Sequence, residues 1–188
     1  MYQKFAFLSI ACFISLFTAA QLTKPIGTRD GRPVYNFTAV NPKLQYVFIE
    51  DKPGNEHPHV GDDVMLRMIG ICNNRFLYNS GQLNKGKPAP FTLSEPGFKG
   101  DIFDALVLMT PGDSVICLVD AEALYGHLNK KMPDFIKPGD LIQYNIRLVS
   151  IKRKEELEKE RQEAIRKATQ EEQKQTADTI KQKPGKNK

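Results

Sequence analysis

The sequence predicts an α+β domain in which one helix packs on an antiparallel sheet, followed by a charged C-terminal helix. Three observations support this fold class. Short apolar runs are bounded by turn residues, one segment has apolar residues at helical spacing, and the final segment is rich in Glu, Lys and Arg. A group of strands around a single helix is the pattern of an α+β fold.

The predicted strands are short runs of apolar and β-branched residues. They cover residues 44–50, 64–73, 75–80, 91–93 and 113–120. The run at 64–73 is apolar on both faces around Arg67, which indicates a central strand. In the last strand, apolar and polar residues alternate: Ile142, Tyr144, Ile146 and Leu148 against Gln143, Asn145 and Arg147. This alternation predicts one buried and one hydrated face.

One segment changes from the period of a strand to that of a helix. Its apolar residues fall three or four apart, between a glycine and a proline: Phe98, Ile102, Ala105, Leu106 and Met109, between Gly97 and Pro111. This spacing predicts a helix that packs on the sheet through one face.

The tail, residues 153–188, is composed of strong helix formers. Glu155–Lys159 and Glu163–Lys167 are favourable pairs at i,i+4. Apolar residues are too sparse for a sustained heptad seam. We expect a solvated helix that frays towards its end, with a weak dimerisation or docking helix as the alternative.

The N-terminus predicts export. Residues 1–20 carry Lys4, a short apolar run and then small residues, which is typical of a signal peptide cleaved after Ala20. A retained membrane anchor is the alternative, although the run is short for a span. The stretch "LSIAC" loosely resembles a lipobox, so lipidation of Cys12 would give a membrane-anchored lipoprotein. Residues 21–42, rich in Thr, Pro, Gly and charge, are predicted to be a leader before the domain at 43–152.

Several classes of site receive no support from the sequence. The motif "HPH" contains His57 and His59, but two ligands do not make a site, so no metal and no cofactor is predicted. The formal net charge of +5 is mild, and the lysines do not alternate with aromatic residues, so no nucleic-acid binding is predicted. Cys72 and Cys117 lie in strand-like runs and are expected to be core thiols, with a disulfide as the alternative.

Four segments together resemble the FKBP-type peptidyl-prolyl cis–trans isomerases, and most closely the exported bacterial Mip/FkpA-like group that carries a tail or spacer helix. They are "LQYVFIEDKPGNEHPHVGDDVMLRMIG", "FLYNSGQLNKGKPAPFTL", "FDALVLMTPGDSVICLVDAEALYG" and "FIKPGDLIQYNIRLVSI". Their order and spacing follow the family over most of the mature chain. The resemblance implies a twisted antiparallel sheet wrapped around one short helix, with an apolar pocket between them.

The resemblance also implies an activity and a site. It implies an isomerase that assists the folding of exported, periplasmic proteins and binds proline-containing segments of unfolded chains. The residues that it places in catalytic roles are Tyr125, Tyr78 and Asn79. The residues that it places against the substrate are Met68, Phe91, Phe98, Lys99, Ile102, Phe135, Ile136 and Tyr144.

This chain departs from the family pattern at three positions of the implied pocket. Met68 stands where the family has Tyr, Asn79 stands for Asp, and Ile102 is matched to the Trp of the pocket floor. An aliphatic floor still makes a hydrophobic slot, but one of a different shape. The alternative function is therefore an FKBP-like chaperone or assembly subunit that binds peptides with little turnover.

Overall fold

The structure is a computed structural model that describes residues 21–29 and 32–181. Its strands are β1 (Gln21–Leu22), β2 (Gly27–Arg29), β3 (Arg32–Val34), β4 (Thr38–Asn41), β5 (Leu44–Asp51), β6 (Asp63–Cys72), β7 (Arg75–Asn79), β8 (Ala89–Thr92), β9 (Ser114–Asp120) and β10 (Leu141–Lys152). Its helices are α1 (Ser80–Leu83), α2 (Phe103–Leu106), α3 (Ala121–His127) and α4 (Lys154–Lys181).

Eight strands form one antiparallel sheet, in the order β1-β5-β9-β10-β6-β7. Strand β4 also pairs with β5, and β8 also pairs with β6. Strands β2 and β3 form a separate hairpin. The predicted α+β fold, a sheet wrapped around a short helix with a charged C-terminal helix, is confirmed.

The alternation in the last strand sets which face of the sheet is buried. Ile142, Ile146 and Leu148 of β10 are all at most 3% exposed, while Arg147 between them is exposed. The core-facing residues of β6, β9 and β10 join those of α2 in one apolar cluster. Strand β6 is paired on both edges, as its sequence predicted.

The central helix is much shorter than its apolar spacing predicted. Helical geometry is confined to Phe103–Leu106, because the preceding residues form a turn. Gly100 has φ +100°, and a Cβ there would lie 2.5 Å from the Cβ of Lys43, so only glycine fits. Ala105, Leu106 and Met109 are nevertheless fully buried. The spacing predicted the buried face correctly and the helix length wrongly.

Two other regions are more ordered than the sequence predicted. Strands β1 and β4, from the segment expected to be a leader, pair with β5 and so belong to the sheet. The region around "LYG" is helix α3, where the sequence pattern predicted no helix. Asp120 begins this helix, since its carboxylate accepts a hydrogen bond from the Ala123 N–H at 2.8 Å.

The tail forms helix α4, as predicted. The buried Asp62 anchors its start by accepting hydrogen bonds from the Lys154 N–H at 3.0 Å and from Arg153 Nη1 at 2.7 Å. Residues 158–174 of the helix are exposed. Within the described part of the chain, no helix combines the length and the apolar character needed to cross a bilayer. The predicted signal peptide, including Cys12, lies outside the described residues.

Candidate functional site

An apolar cleft of about 250 Å³ lies between the sheet, α2 and α3. It is lined by Met68, Phe91, Phe98, Asp101, Ile102, Phe103, Val119, Leu124, His127, Leu128 and Tyr144. The structure thus brings together Met68, Phe91, Phe98, Ile102 and Tyr144, which the resemblance had placed against the substrate. All five are at least partly buried and pack in or against the main core.

Tyr144 occupies its place because the neighbouring strand has no side chain there. It is paired with Gly70 across β10 and β6. A Cβ at Gly70 would lie 2.9 Å from Cε1 of Tyr144, so the glycine allows the ring to lie against β6. Burial, with smaller contributions from Tyr125, Asp101 and Cys72, raises the pKa of Tyr144 to about 12. The phenol is neutral near pH 7, as an unperturbed tyrosine also is, and burial extends this neutral form to higher pH, so its proton is present as a hydrogen-bond donor.

Phe98 and His127 form an aromatic wall of the cleft. Their ring centroids are 5.4 Å apart, with an interplanar angle of 33°. A Cβ at Gly97 would lie 2.5 Å from His127 Nε2, so the imidazole needs glycine at that position. His127, Leu124 and Leu128 were not predicted from the sequence as site residues. A signal was present, because these three residues share one face of a helix that follows the capping residue Asp120.

Asp101 is the acidic residue of the lining. Its carboxylate accepts hydrogen bonds from the Gly97 N–H at 3.0 Å and from the Phe103 N–H at 3.3 Å. It therefore fixes the turn that leads into α2. Asp101 was not predicted from the sequence as a site residue, although it lies between Gly100 and Ile102, the residue matched to the family's Trp. The lining of this cleft thus contains a carboxylate next to an aliphatic side chain in the sequence.

Tyr125, Phe135 and Ile136 lie beside the cleft in a second apolar cluster, which also contains Cys72 and Ile142. The guanidinium of Arg75 packs over the ring of Phe135, with its Cζ 4.8 Å from the ring centroid. Burial, helped by the nearby Cys72, raises the pKa of Tyr125. Tyr144 packs against both clusters and so connects this group to the cleft.

The remaining predicted site residues stand apart from the cleft lining. Tyr78 packs against the main core. Asn79 caps helix α1, because its Oδ1 accepts hydrogen bonds from the Gly81 N–H at 2.9 Å and the Gln82 N–H at 3.2 Å. Lys99 is exposed.

The described residues contain no group of three or more His, Cys, Asp or Glu side chains placed to hold a metal ion. Cys72 and Cys117 are both free and buried. Burial raises the pKa of Cys117 to about 12, and burial together with Asp140 raises that of Cys72. Neither thiol is therefore suited to act as a nucleophile.

No protein-family model and no curated protein matches this chain. Among solved structures it is similar to FkpA from Escherichia coli, with 22% sequence identity and a TM-score of 0.50. That match covers 63% of this chain and 52% of the FkpA chain, so this chain spans about half the length of FkpA. A peptidyl-prolyl cis-trans isomerase from Pseudomonas syringae pv. tomato matches at 17% identity and a TM-score of 0.46, over 61% of this chain and 84% of that one. The likeness to FkpA shows that the two proteins share a fold.

Proposed function

We propose that this protein is a peptidyl-prolyl cis–trans isomerase and that the cleft around Tyr144 binds the proline of its substrate. The observation that carries the proposal is the composition of the cleft, in which aromatic and aliphatic side chains enclose about 250 Å³ on a sheet-and-helix scaffold. Concave, mostly apolar sites with a few polar groups are typical of small-ligand binding. A proline ring and its flanking peptide groups suit such a lining.

The reaction explains why the cleft needs no nucleophile. Rotation about the peptide bond breaks no covalent bond, and its barrier of roughly 18–20 kcal/mol arises from the loss of amide resonance. The uncatalysed reaction takes on the order of tens to hundreds of seconds. A twisted amide is less polar than a planar one, so a water-poor cleft stabilises the transition state relative to the ground state.

Two phenols supply hydrogen-bond donors for this mechanism. Tyr144 lines the cleft, its phenol is neutral near pH 7, and burial raises its pKa to about 12. Tyr125 lies close enough to contribute to that rise. In the proposed complex these hydroxyls donate to the carbonyl groups that flank the proline, and Phe91 and Phe98 enclose the ring.

The proposed substrates are proline-containing segments of exported proteins in the periplasm, where residues 1–20 would direct this chain. The support is the composition of residues 1–20, with their apolar run and small residues before Gln21. Lipidation of Cys12 would instead anchor the protein to a membrane.

A second candidate function is peptide binding with little turnover. The lining of the cleft favours it, because it contains Asp101 and Ile102 in a chain that has no Trp. Asn79 favours it too, because its side-chain oxygen is engaged in capping α1. On this reading the protein acts as a chaperone or an assembly subunit.

A proline-isomerisation assay on a chromogenic tetrapeptide distinguishes the two candidates. We expect turnover by the wild type and a fall of about 10- to 100-fold in kcat/KM for Phe98→Ala, because part of an aromatic contact worth about 1.5–3 kcal/mol is lost. Phe76→Ala is the matched control, since Phe76 is 72% exposed and lies outside the cleft lining. The second candidate would be established if the wild type showed no turnover but bound the peptide, and if Phe98→Ala weakened that binding.

A further inference from the structure

We propose that the outer face of the sheet carries a second site, which binds an extended polypeptide segment bearing acidic side chains. The site is a groove of about 450 Å³, which we name the arginine groove. Its floor includes Ile49, Ile69 and Ile116, its edge includes Tyr35, and Arg67 and Arg147 stand in its lining. This site is separate from the proposed isomerase cleft and does not depend on it.

The arginine groove and the cleft lie on opposite faces of the sheet. Side chains alternate between the two faces along a strand. Met68 of β6 faces the core and lines the cleft, so its neighbours Arg67 and Ile69 face the other way. The same alternation places Arg147 of β10 opposite to the buried Ile146.

The two arginines are an unusual pair for a sheet. Arg67 and Arg147 are direct partners in the register of β6 and β10. Like charges directly opposite each other destabilise an antiparallel pair. Arg67 Nη1 donates to the Gly86 carbonyl at 2.8 Å, which satisfies a donor but does not neutralise the charge. The pair therefore presents positive charge to the groove.

The nearby carboxylate offsets this charge only in part. Arg147 Nη1 lies 3.5 Å from Glu50 Oε2, but Glu50 is also paired with Lys52. The contact with Lys52 is the main cause of the lowered pKa of Glu50, although burial opposes it. Two cations, Lys52 and Arg147, thus share one carboxylate, while Arg67 is bonded to a neutral carbonyl. An anionic group entering the groove would compensate the excess of positive charge.

The rest of the lining suits a peptide strand. Isoleucine side chains offer an apolar floor to every second residue of an extended segment. Gln143 Nε2 donates to Asn145 Oδ1 at 2.8 Å, which leaves the Gln143 carbonyl oxygen and the Asn145 amide hydrogens to face a ligand. The amides of Gln143 and Asn145 would hydrogen-bond peptide groups of the segment, and the neighbouring arginines would pair with its carboxylates. This combination identifies the occupant as a polypeptide with alternating apolar and acidic residues.

The test uses a fluorescein-labelled octapeptide of alternating Val and Glu, without proline, and the purified protein in an anisotropy titration. We expect saturable binding that weakens with rising salt and falls at least tenfold in the double variant Arg67→Gln/Arg147→Gln. The control Arg166→Gln/Lys167→Gln removes the same charge from the exposed surface of α4 and is expected to change the affinity by less than twofold. Replacing each Glu of the peptide by Gln is expected to weaken binding at least tenfold.

Three binding results would overturn the proposal. They are unchanged affinity in the Arg67→Gln/Arg147→Gln variant, equal affinity for the Gln peptide, and arginine-dependent retention on phosphatidylglycerol vesicles without peptide binding. The last result would identify a membrane as the partner.

The melting temperature of the double variant is expected to equal or exceed that of the wild type because a repulsive pair is removed. A marked fall in the melting temperature would assign the arginines a structural role instead. Phe98→Ala should leave octapeptide binding unchanged, so failure here is distinguishable from failure of the isomerase proposal.

Discussion

Replacing Gly70 by Ala tests whether the close approach of β6 to Tyr144 builds the cleft. The new methyl group would lie 2.9 Å from Cε1 and 3.3 Å from Cδ1 of Tyr144, whereas ordinary contact begins at 3.4 Å. The ring has little room to withdraw, because Tyr144 packs against both apolar clusters. Overpacking of this kind costs about 1–3 kcal/mol. We expect Gly70→Ala to lower the free energy of unfolding by that amount and to reduce isomerase turnover.

A double-mutant cycle in urea isolates the contact. In the Tyr144→Val background the ring is absent, so Gly70→Ala is expected to be neutral or to stabilise by up to about 1 kcal/mol, since glycine is unfavourable inside a strand. Gly126→Ala is the control, because a Cβ at Gly126 meets no atom within 4 Å. An equal cost of Gly70→Ala in both backgrounds would refute the reasoning.

Three further outcomes are expected. Burial by itself would raise the pKa of Asp62, but hydrogen bonds from the His59 and Lys154 N–H groups and from Arg153 together lower it. The carboxylate therefore stabilises the fold above its unfolded pKa of about 3.9. In urea unfolding, Asp62→Asn should lower the free energy of unfolding by about 2–4 kcal/mol at pH 7, and by progressively less as the pH falls below about 4. A loss that did not depend on pH would contradict this. Because both have raised pKa values and are buried, Cys72 and Cys117 should resist iodoacetamide at pH 8 in the native protein and react after unfolding, as followed by mass spectrometry. Deleting residues 162–188 should lower the helicity measured by circular dichroism without shifting the unfolding midpoint of the domain, since the helix is exposed from residue 158 to 174. If the midpoint depended on protein concentration in the full chain but not in the truncated one, this would instead indicate dimerisation through α4.

Local patterns in the sequence were sufficient to predict features that depend on a single strand or helix. The alternation in β10 fixed its buried face, because side chains in a strand point to opposite sides. The tail formed a helix because its residues favour helix without needing partners. The sets of apolar residues in β6, β9 and α2 also predicted which side chains form the core. From these elements the fold class followed.

The site was only partly predictable, because its residues converge from distant segments. The resemblance to a family implied a catalytic role for Tyr125, and in the structure this residue lies beside the cleft, in the second cluster. His127 and Asp101 line the cleft, although neither was selected from the sequence. The place of His127 depends on Gly97, which leaves room for the imidazole, and the place of Asp101 depends on the turn at Gly100. The need for glycine at these two positions arises only when the chain has folded.

The sequence by itself predicted the strands from residue 44 onward, their buried faces and the charged tail helix, and its resemblance to a family implied five of the residues that line the cleft. The tertiary structure alone decided the length of α2, the pairing of β1 and β4 with β5, and the opposition of Arg67 and Arg147. The physical reason is that periodicity reports whether a side chain is buried, since burial repeats with the local geometry of the backbone. Contacts between segments far apart in the chain leave no such repeat, so only the packed structure reveals them.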